Sequence, residues 1–233
     1  MTRPVALFIL FAFLVASCKS QKVVVVQEEV YERKHFIPRC IVLSGGPTDI
    51  KDQKDEQSII TQDQLGADRC MFQSLKVGKD AWIHATTIKE SIQVGGEARF
   101  YGSRVQGETK VQGKLHAHCA QFNSCVDVGD DVTAVETSFC GGSQAKAEII
   151  DLTNVKAQSI FVKATGPYYD KQLVYIKGNT VIEGDVIFES ERGRVIYDFN
   201  AQVKGSIRGG HALPSYECGR IILESNLHGL PVK

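Results

Sequence analysis

The side chains that could perform acid–base or metal chemistry are a few histidines and their neighbours. His84, His116, His118 and His211 are candidate general bases, because an alcohol or amine nucleophile must lose a proton during group transfer. The sequence places no Asp or Glu to orient any of them. His116 and His118 share a strand face, but zinc usually takes three or four protein ligands, and the adjacent Cys119 should point the other way. We therefore expect surface histidines, with no catalytic residue, no metal site and no cofactor.

The beginning of the chain indicates export. One arginine precedes an apolar run over 5–16, and small residues lead to Cys18, which is typical of a secretory signal peptide and too short for a membrane-spanning helix. The stretch 14–18, LVASC, resembles the bacterial lipobox. That resemblance implies cleavage after residue 17, a lipid such as palmitate on Cys18 and, with Lys19 behind it, sorting to the outer membrane. An ordinary signal peptide with an incidental cysteine is the alternative.

Six further cysteines would remain in the mature chain. In an oxidising periplasm they allow up to three disulfides with fifteen possible connectivities. We expect Cys40 to pair with Cys70, since the two bracket a polar loop, and we place the other four on the coil and its far cap. Those four are Cys119, Cys125, Cys140 and Cys218. Buried free thiols in the core are the open alternative.

A short repeat between 75 and 139 defines the elements that must position these side chains, and its copies begin at Leu75, Ile92, Thr109 and Val126. Six columns recur over four rows: Leu75, Ile92, Thr109, Val126; Val77, Val94, Val111, Val128; Ala81, Ala98, Leu115, Val132; Ile83, Phe100, Ala117, Ala134; Thr86, Ser103, Ala120, Thr137; and Ile88, Val105, Phe122, Phe139. Apolar residues two apart indicate strands with one face inward, and so short a repeat must stack on its neighbours to bury that face. The pattern predicts an all-β fold, a narrow single-stranded β-helix.

The rest of the chain is assigned around this coil. We predict a signal peptide over 1–17, a lipid-anchored tether over 18–36, an N-terminal cap and polar loop over 37–74, the β-helix over 75–210 and a C-terminal cap over 211–233. The period lengthens from 17 to 21 between 174–186 and 195–207, while only Ala145 and Ile149 keep the pattern after Phe139. A loop at 166–169 interrupts the coil, and its Tyr168 and Tyr169 are candidate partner contacts.

Two family resemblances bear on the coil. The runs IKGNTVIEGDVI at 176–187 and AQVKGSIRG at 201–209 resemble the polymer-forming bactofilins, which implies a triangular, right-handed β-helix over roughly 75–210. Bactofilins are mostly cytoplasmic and assemble through apolar end rungs, whereas this chain is expected to be exported and capped. The segments VGKDAW, VGGEAR and VGDDVT at 77–82, 94–99 and 128–133 resemble single hexapeptides of the left-handed acyltransferase helices. Right-handedness is favoured because those enzymes run their hexapeptides back to back, whereas irregular rows separate the copies here.

The net charge and the pattern of surface residues reduce the number of functions to consider. Lys plus Arg equals Asp plus Glu, at 27 each, without a basic stripe, so nucleic acid is excluded as a partner. The outward positions of the rows read as mixed Lys, Glu, Gln and Ser, with no ladder of aromatics. We predict a non-enzymatic, lipid-anchored scaffold or assembly subunit of the outer membrane, facing the periplasm and bound to envelope proteins or to itself. A glycan-binding or glycan-modifying surface protein is the alternative, and a hexapeptide-type acyltransferase a further one.

Overall fold

The parallel coil predicted from the repeat is confirmed. A computed structural model describes residues 22–25, 40–54, 57–166 and 172–215, and nearly all of them belong to short parallel strands or the corners between them. The strands form three lateral faces, to each of which a central turn contributes one strand, and ten strands stack on each of the two longest faces. At about 4.8 Å per turn the coil is roughly 45 Å long. Its right-handed sense stays a prediction.

Two of the three faces run the whole length of the coil. Face 1 consists of β2 (Cys40–Ser44), β4 (Gln57–Thr61), β6 (Met71–Val77), β9 (Ile92–Val94), β12 (Thr109–Val111), β15 (Val126–Val128), β18 (Ser143–Ala145), β21 (Ile160–Val162), β24 (Val186–Phe188) and β27 (Ile207–Arg208). Face 2 consists of β3 (Thr48–Lys51), β5 (Leu65–Asp68), β7 (Ala81–His84), β10 (Ala98–Tyr101), β13 (Leu115–His118), β16 (Val132–Val135), β19 (Ile149–Thr153), β22 (Leu173–Lys177), β25 (Gly193–Tyr197) and β28 (Gly210–Pro214).

Face 3 is shorter and is made of two-residue strands. It consists of β8 (Thr87–Ile88), β11 (Arg104–Val105), β14 (Gln121–Phe122), β17 (Ser138–Phe139), β20 (Lys156–Ala157), β23 (Val181–Ile182) and β26 (Gln202–Val203). The first two residues of β6 pair with β8, so that strand bends from face 3 into face 1. The remaining strand, β1 (Lys22–Val25), lies antiparallel against β2 at the beginning of face 1. β1 contains three of the four consecutive valines at 23–26, and such β-branched residues favour strands.

The register follows the predicted periods closely. Leu75 pairs with Ile92, Thr109 with Val126 and Ala98 with Leu115, each at the predicted period of 17 residues. Val174 pairs with Val195 at the longer predicted period of 21 residues. One prediction is wrong. Val132 pairs with Ile150, so Ile150 is buried, whereas Ile149 is 43% exposed. The corner before β19 holds one extra residue, and a slip of one residue on a strand turns every side chain to the opposite side.

The coil extends beyond the predicted boundaries at both ends. β3 and β4 lie within the stretch predicted as a polar loop, and both pair in parallel with later strands, so that prediction is wrong. Thr48, Ile59 and Thr61 supply the buried positions there, while the charged residues point outward. The short alternating runs gave too weak a signal among the charges. At the other end β28 continues face 2 as far as Pro214; residues 216–233 of the predicted cap lie outside the description.

The interior is filled by complementary side chains from different faces. Where face 2 offers only Ala117 or Ala134, face 3 places Phe122 or Phe139 in the same turn; Phe100, on face 2, projects towards Phe122. The ring centroids of Phe100 and Phe122 are 5.1 Å apart edge to face, and those of Phe122 and Phe139 are 5.2 Å apart and stacked. Large residues therefore pack beside small ones, which keeps the narrow core full.

The corner between faces 2 and 3 turns sharply in eight successive turns of the coil. One residue in each of these turns adopts a positive φ there, and these residues stack into a column, which we call the corner column. Its members are Asp52, Arg69, Ala85, Gly102, Cys119, Glu136, Asn154 and Gly178. In the six turns from Arg69 to Asn154 the next residue is buried, and in three of them it carries a hydroxyl. Thr86 is 1% exposed; its hydroxyl accepts a hydrogen bond from the backbone N–H of Cys70 at 3.1 Å and donates to the His84 carbonyl at 2.8 Å.

This corner bond predicts the effect of a nearly isosteric substitution. Thr86→Val would keep the shape of the side chain but leave the buried N–H of Cys70 without its acceptor, which should lower the free energy of unfolding by about 1–3 kcal/mol. Chemical denaturation followed by circular dichroism would measure the change. The matched control is Thr133→Val, because Thr133 lies exposed on face 2 and should change stability by less than about 0.5 kcal/mol. Equal effects of the two substitutions would contradict a role for the buried hydroxyl.

Candidate functional site

Three neighbouring strands of face 2 present a cluster of aromatic, histidine and arginine side chains to solvent. Along β7, β10 and β13 the side chains alternate between core and surface, so every second residue points outward. The pairing aligns the outward residues of the three strands into two columns. One column is Trp82, Arg99 and His116, and the other is His84, Tyr101 and His118. The face 2 patch consists of Trp82, His84, Arg99, Tyr101, His116 and His118.

The patch contains two of the four large apolar side chains that are exposed in the described part of the chain. Trp82 is 41% exposed and Tyr101 is 43% exposed. The rings of Tyr101 and His118 lie one above the other on adjacent strands, with centroids 6.3 Å apart. Aromatic side chains offer a large contact area with little conformational entropy to lose. The arrangement can therefore bind a partner by stacking and hydrogen bonding.

A carboxylate orients one of these histidines and another lies near a second one, contrary to the expectation from sequence. The Nδ1 atom of His84 is 2.7 Å from Asp68 Oδ1, and Nε2 of His116 is 3.4 Å from Glu97 Oε1. Glu97 also accepts a hydrogen bond from Arg99, which raises the pKa of that guanidinium. Asp68 precedes His84 by one turn of the coil, so only stacking of the turns brings the pair together. His84 is 61% exposed, so water surrounds the ring.

A second cluster borders the patch at the corner column. The expectation that Cys119 points away from His118 is wrong, because Cys119 has a φ of 52° and the chain turns before strand alternation can apply. Its thiol donates a hydrogen bond to Glu136 Oε2 at 3.2 Å, one turn along the column. That hydrogen bond, above all, raises the pKa of the Cys119 thiol. The ligand atoms of His118, Cys119 and Glu136 all lie within 4.8 Å of one another.

The cysteines that the structure describes are free thiols, so the predicted disulfide between Cys40 and Cys70 is wrong. Cys40 begins β2, whereas Cys70 precedes β6, and β4 lies between those strands. Two strand spacings come to about 9.6 Å, beyond the reach of a disulfide. Cys70 is buried, and desolvation raises the pKa of its thiol. Cys119, Cys125 and Cys140 are exposed rather than buried in the core.

Several predicted site residues lie outside the described part of the chain. These are the lipidation candidate Cys18, the sixth disulfide candidate Cys218 and the partner-contact candidates Tyr168 and Tyr169. His211 is exposed on β28, well away from the other histidines. In the segments that are described, no helix has the length and apolar character required to span a bilayer.

A groove of 510 Å³ follows the corner between faces 1 and 2. Gly78 and Gly95 form part of its floor, because stacked corners approach so closely that a Cβ on Gly95 would lie 2.2 Å from the Gly78 carbonyl oxygen. Lys76, Lys110, Lys146 and Lys163 line it together with Asp127. Lys163 Nζ is 2.9 Å from Asp127 Oδ1, so one of the four positive charges is paired within the groove.

Sequence reasoning missed Trp82 and Tyr101 as members of one surface. Each stands next to buried apolar residues in its own row, Trp82 between Ala81 and Ile83 and Tyr101 after Phe100, so the row alone does not single it out. Alternation from the buried Ala81 and Ile83 places Trp82 outward, and the repeat places it beside Arg99. The signal was therefore present in the columns of outward positions. Comparisons of the chain with protein-family models, with curated proteins and with solved structures give no match.

The hydrogen bond at the corner column predicts a change in thiol reactivity. Glu136→Ala would remove both the acceptor and the negative charge that disfavour the thiolate, so the pKa of Cys119 should fall and its alkylation at neutral pH should become faster. Alanine suits the backbone, because Ala85 has the same positive φ in this column. Peptide-resolved mass spectrometry of iodoacetamide labelling would measure the rate, with Cys125 as the internal control. Slower or unchanged alkylation of Cys119 would contradict the assignment.

Proposed function

We propose that the protein is a non-enzymatic scaffold of the cell envelope that holds a partner on face 2. The observation that carries the proposal is the face 2 patch, a set of aromatic and charged side chains fixed on three adjacent strands of a rigid sheet. A partner that docks there meets side chains whose backbone is already ordered. Less conformational entropy is then lost on binding than with a flexible loop. The partner we propose is another envelope protein.

The composition of the patch suits recognition of a protein surface. Trp, Tyr and Arg are the residues that most often contribute strongly to binding between proteins. Trp82, Arg99 and Tyr101 bring these three types together on two adjacent strands. Glu97 holds the Arg99 guanidinium and faces His116, so the charged rim of the patch is already arranged in the free protein.

The N-terminal end of the coil favours lateral docking over growth from that end. β1 covers the free edge of β2 in the antiparallel direction, which interrupts the parallel stacking that an added turn of another copy would need on face 1. An assembly built through side faces therefore fits this chain better than an end-to-end polymer at that edge. Self-association through face 2 belongs to the same proposal.

Glycan binding is a second candidate function, favoured by the exposed ring of Trp82 with Arg99 beside it on the same column. An aromatic ring can stack against the apolar face of a sugar, and neighbouring polar groups can bind its hydroxyls. The same surface would then serve a polysaccharide of the envelope instead of a protein.

A photo-crosslinking residue can distinguish these partners in living cells. Placed at position 82 or 101 of the full-length protein, it should give one discrete protein adduct, identified by mass spectrometry. Placed at Arg104 or Lys156, which are exposed on face 3, the same residue is the matched control and should give none. Carbohydrate adducts that survive protease treatment would support the glycan function. Adducts of equal yield on both faces, or none on face 2, would contradict the use of face 2.

The lipid anchor is part of the proposal and is supported by the stretch 14–18 and its likeness to a lipobox. With Cys18 acylated, the protein would be held at the outer membrane, facing the periplasm. The tether predicted over 18–36 would be much shorter than expected, because β1 (Lys22–Val25) already lies against the coil and only residues 19–21 separate it from Cys18.

Cys18→Ser tests the anchor directly. The variant should lose metabolic labelling by palmitate and leave the membrane fraction for the soluble periplasmic fraction, because one hydroxyl replaces the thiol that is acylated. Fractionation and labelling of wild type and variant in parallel would show both effects. Cys125→Ser is the matched control and should keep the lipid, since that residue lies on the coil. A Cys18→Ser protein that stays lipidated in the membrane would overturn the assignment.

A further inference from the structure

The cluster at the corner column combines three kinds of metal ligand. His118 offers an imidazole nitrogen, Cys119 a sulfur and Glu136 a carboxylate oxygen, and these atoms all lie within 4.8 Å of one another. Sequence alone did not suggest this set, since Glu136 lies one turn beyond Cys119 and meets it only through stacking of the turns. Because Cys119 and Glu136 both have positive φ at the same corner, their side chains project side by side.

The separations suit a tetrahedral ion. Bond lengths of about 2.0–2.3 Å from zinc to nitrogen, oxygen and sulfur place neighbouring ligand atoms about 3.3–3.8 Å apart. Cys119 Sγ and Glu136 Oε2 are already 3.2 Å apart. In the part of the chain that the structure describes, the His118 ring has no hydrogen-bond partner, so it can rotate towards the pair without breaking one. Small rotations of exposed side chains would complete the geometry.

The charge at this position also favours a cation. Lower in the same column Asp52 is paired with Arg69, whose Nε lies 2.8 Å from Asp52 Oδ1. Glu136 has no such basic partner among the described residues and accepts a hydrogen bond from a thiol instead. A divalent ion would neutralise this carboxylate, as the guanidinium does for Asp52.

One coordination position would remain open. Below Cys119 the column continues with Gly102, where an added Cβ would have no atom within 4 Å. Above Glu136, Asn154 is turned away, since its Oδ1 accepts a hydrogen bond from the backbone N–H of Asn179 at 3.0 Å. Water or a ligand from a partner can therefore occupy the fourth position, which is the arrangement of zinc sites with three protein ligands.

We propose that His118, Cys119 and Glu136 form a surface site for a thiophilic divalent cation of the zinc type. On binding, the S–H bond of Cys119 breaks, its proton passes to solvent, and the sulfur electron pair forms the bond to the metal. Binding should therefore release one proton per ion from the thiol. The site lies at the edge of the face 2 patch and does not depend on the proposed scaffold function.

Zinc and cobalt titrations of the purified full-length protein test the site. We expect one Zn²⁺ per chain by elemental analysis after dialysis, and a thiolate-to-metal charge-transfer absorption band on adding Co²⁺. Cys119→Ser should abolish the band. His118→Gln and Glu136→Gln should each weaken Zn²⁺ binding at least about tenfold, measured in competition with a chromophoric chelator. Losing a residue that only hydrogen-bonds to a metal ligand can already weaken binding by that much.

Matched variants decide between this site and scattered surface binding. His84→Gln and Cys125→Ser replace equally exposed residues outside the cluster and should leave Zn²⁺ affinity within about twofold. Circular dichroism of each variant should match wild type, because all the replaced side chains are exposed. Absence of the Co²⁺ band in wild type would overturn the proposal. The proposal would also be overturned if His118→Gln, Cys119→Ser and Glu136→Gln weakened zinc binding no more than the two control variants.

Discussion

Hydrogen bonding between the backbones of successive turns is the interaction on which this molecule depends. The backbone N–H groups of Leu75, Ile92 and Thr109, one per turn, each donate to a carbonyl of the following turn at 2.9–3.0 Å, and the same pattern recurs at the corners. Each turn is too short to enclose a core, so it gains its buried surface only when both neighbours are in place. Each position is therefore constrained mainly by the residues one turn away, directly above and below it.

That constraint explains the chemistry of the corners. A corner breaks the strand ladder, and its backbone groups need other partners. Inside the coil, hydroxyls supply them: Ser103 accepts from the Thr86 N–H at 3.2 Å, and Thr180 accepts from the Val155 N–H at 3.1 Å. Outside the coil, carboxylates do the same, as Asp131 does for the N–H groups of Glu148 and Ile149. Polar residues in the repeat are thus as structural as the apolar ones.

The sequence predicted the coil well because stacking demands the same residue class in every turn, and the columns from Leu75 to Phe139 display it. It failed where one position departs from the period. One extra residue before β19 placed Ile150 inside and Ile149 outside, which no column count could decide. Strands β3 and β4 could not be recognised in the charged first turns, because each has too few inward residues, two or three, to form a visible pattern. The surface patch depends on neighbours a full turn apart in the chain, and the cluster at Cys119 depends in addition on a positive φ. Strand alternation, applied to one row, places Trp82 outward but does not show its neighbours, and it misplaces Cys119.

Stacking also decides what can be displayed on the surface. Outward residues of adjacent turns are only about 4.8 Å apart, so like charges in one column repel and opposite charges attract. Asp52 with Arg69 and Lys204 with Glu183 follow this rule. Two columns do not follow this charge pairing: the column of Trp82, Arg99 and His116, and the corner column at Cys119 and Glu136. At these positions the side chains keep groups that can bind another molecule. A solenoid holds such residues in place through its backbone, without requiring their side chains to stabilise the fold. Such residues are therefore free to serve the binding that we propose, because the fold does not depend on them.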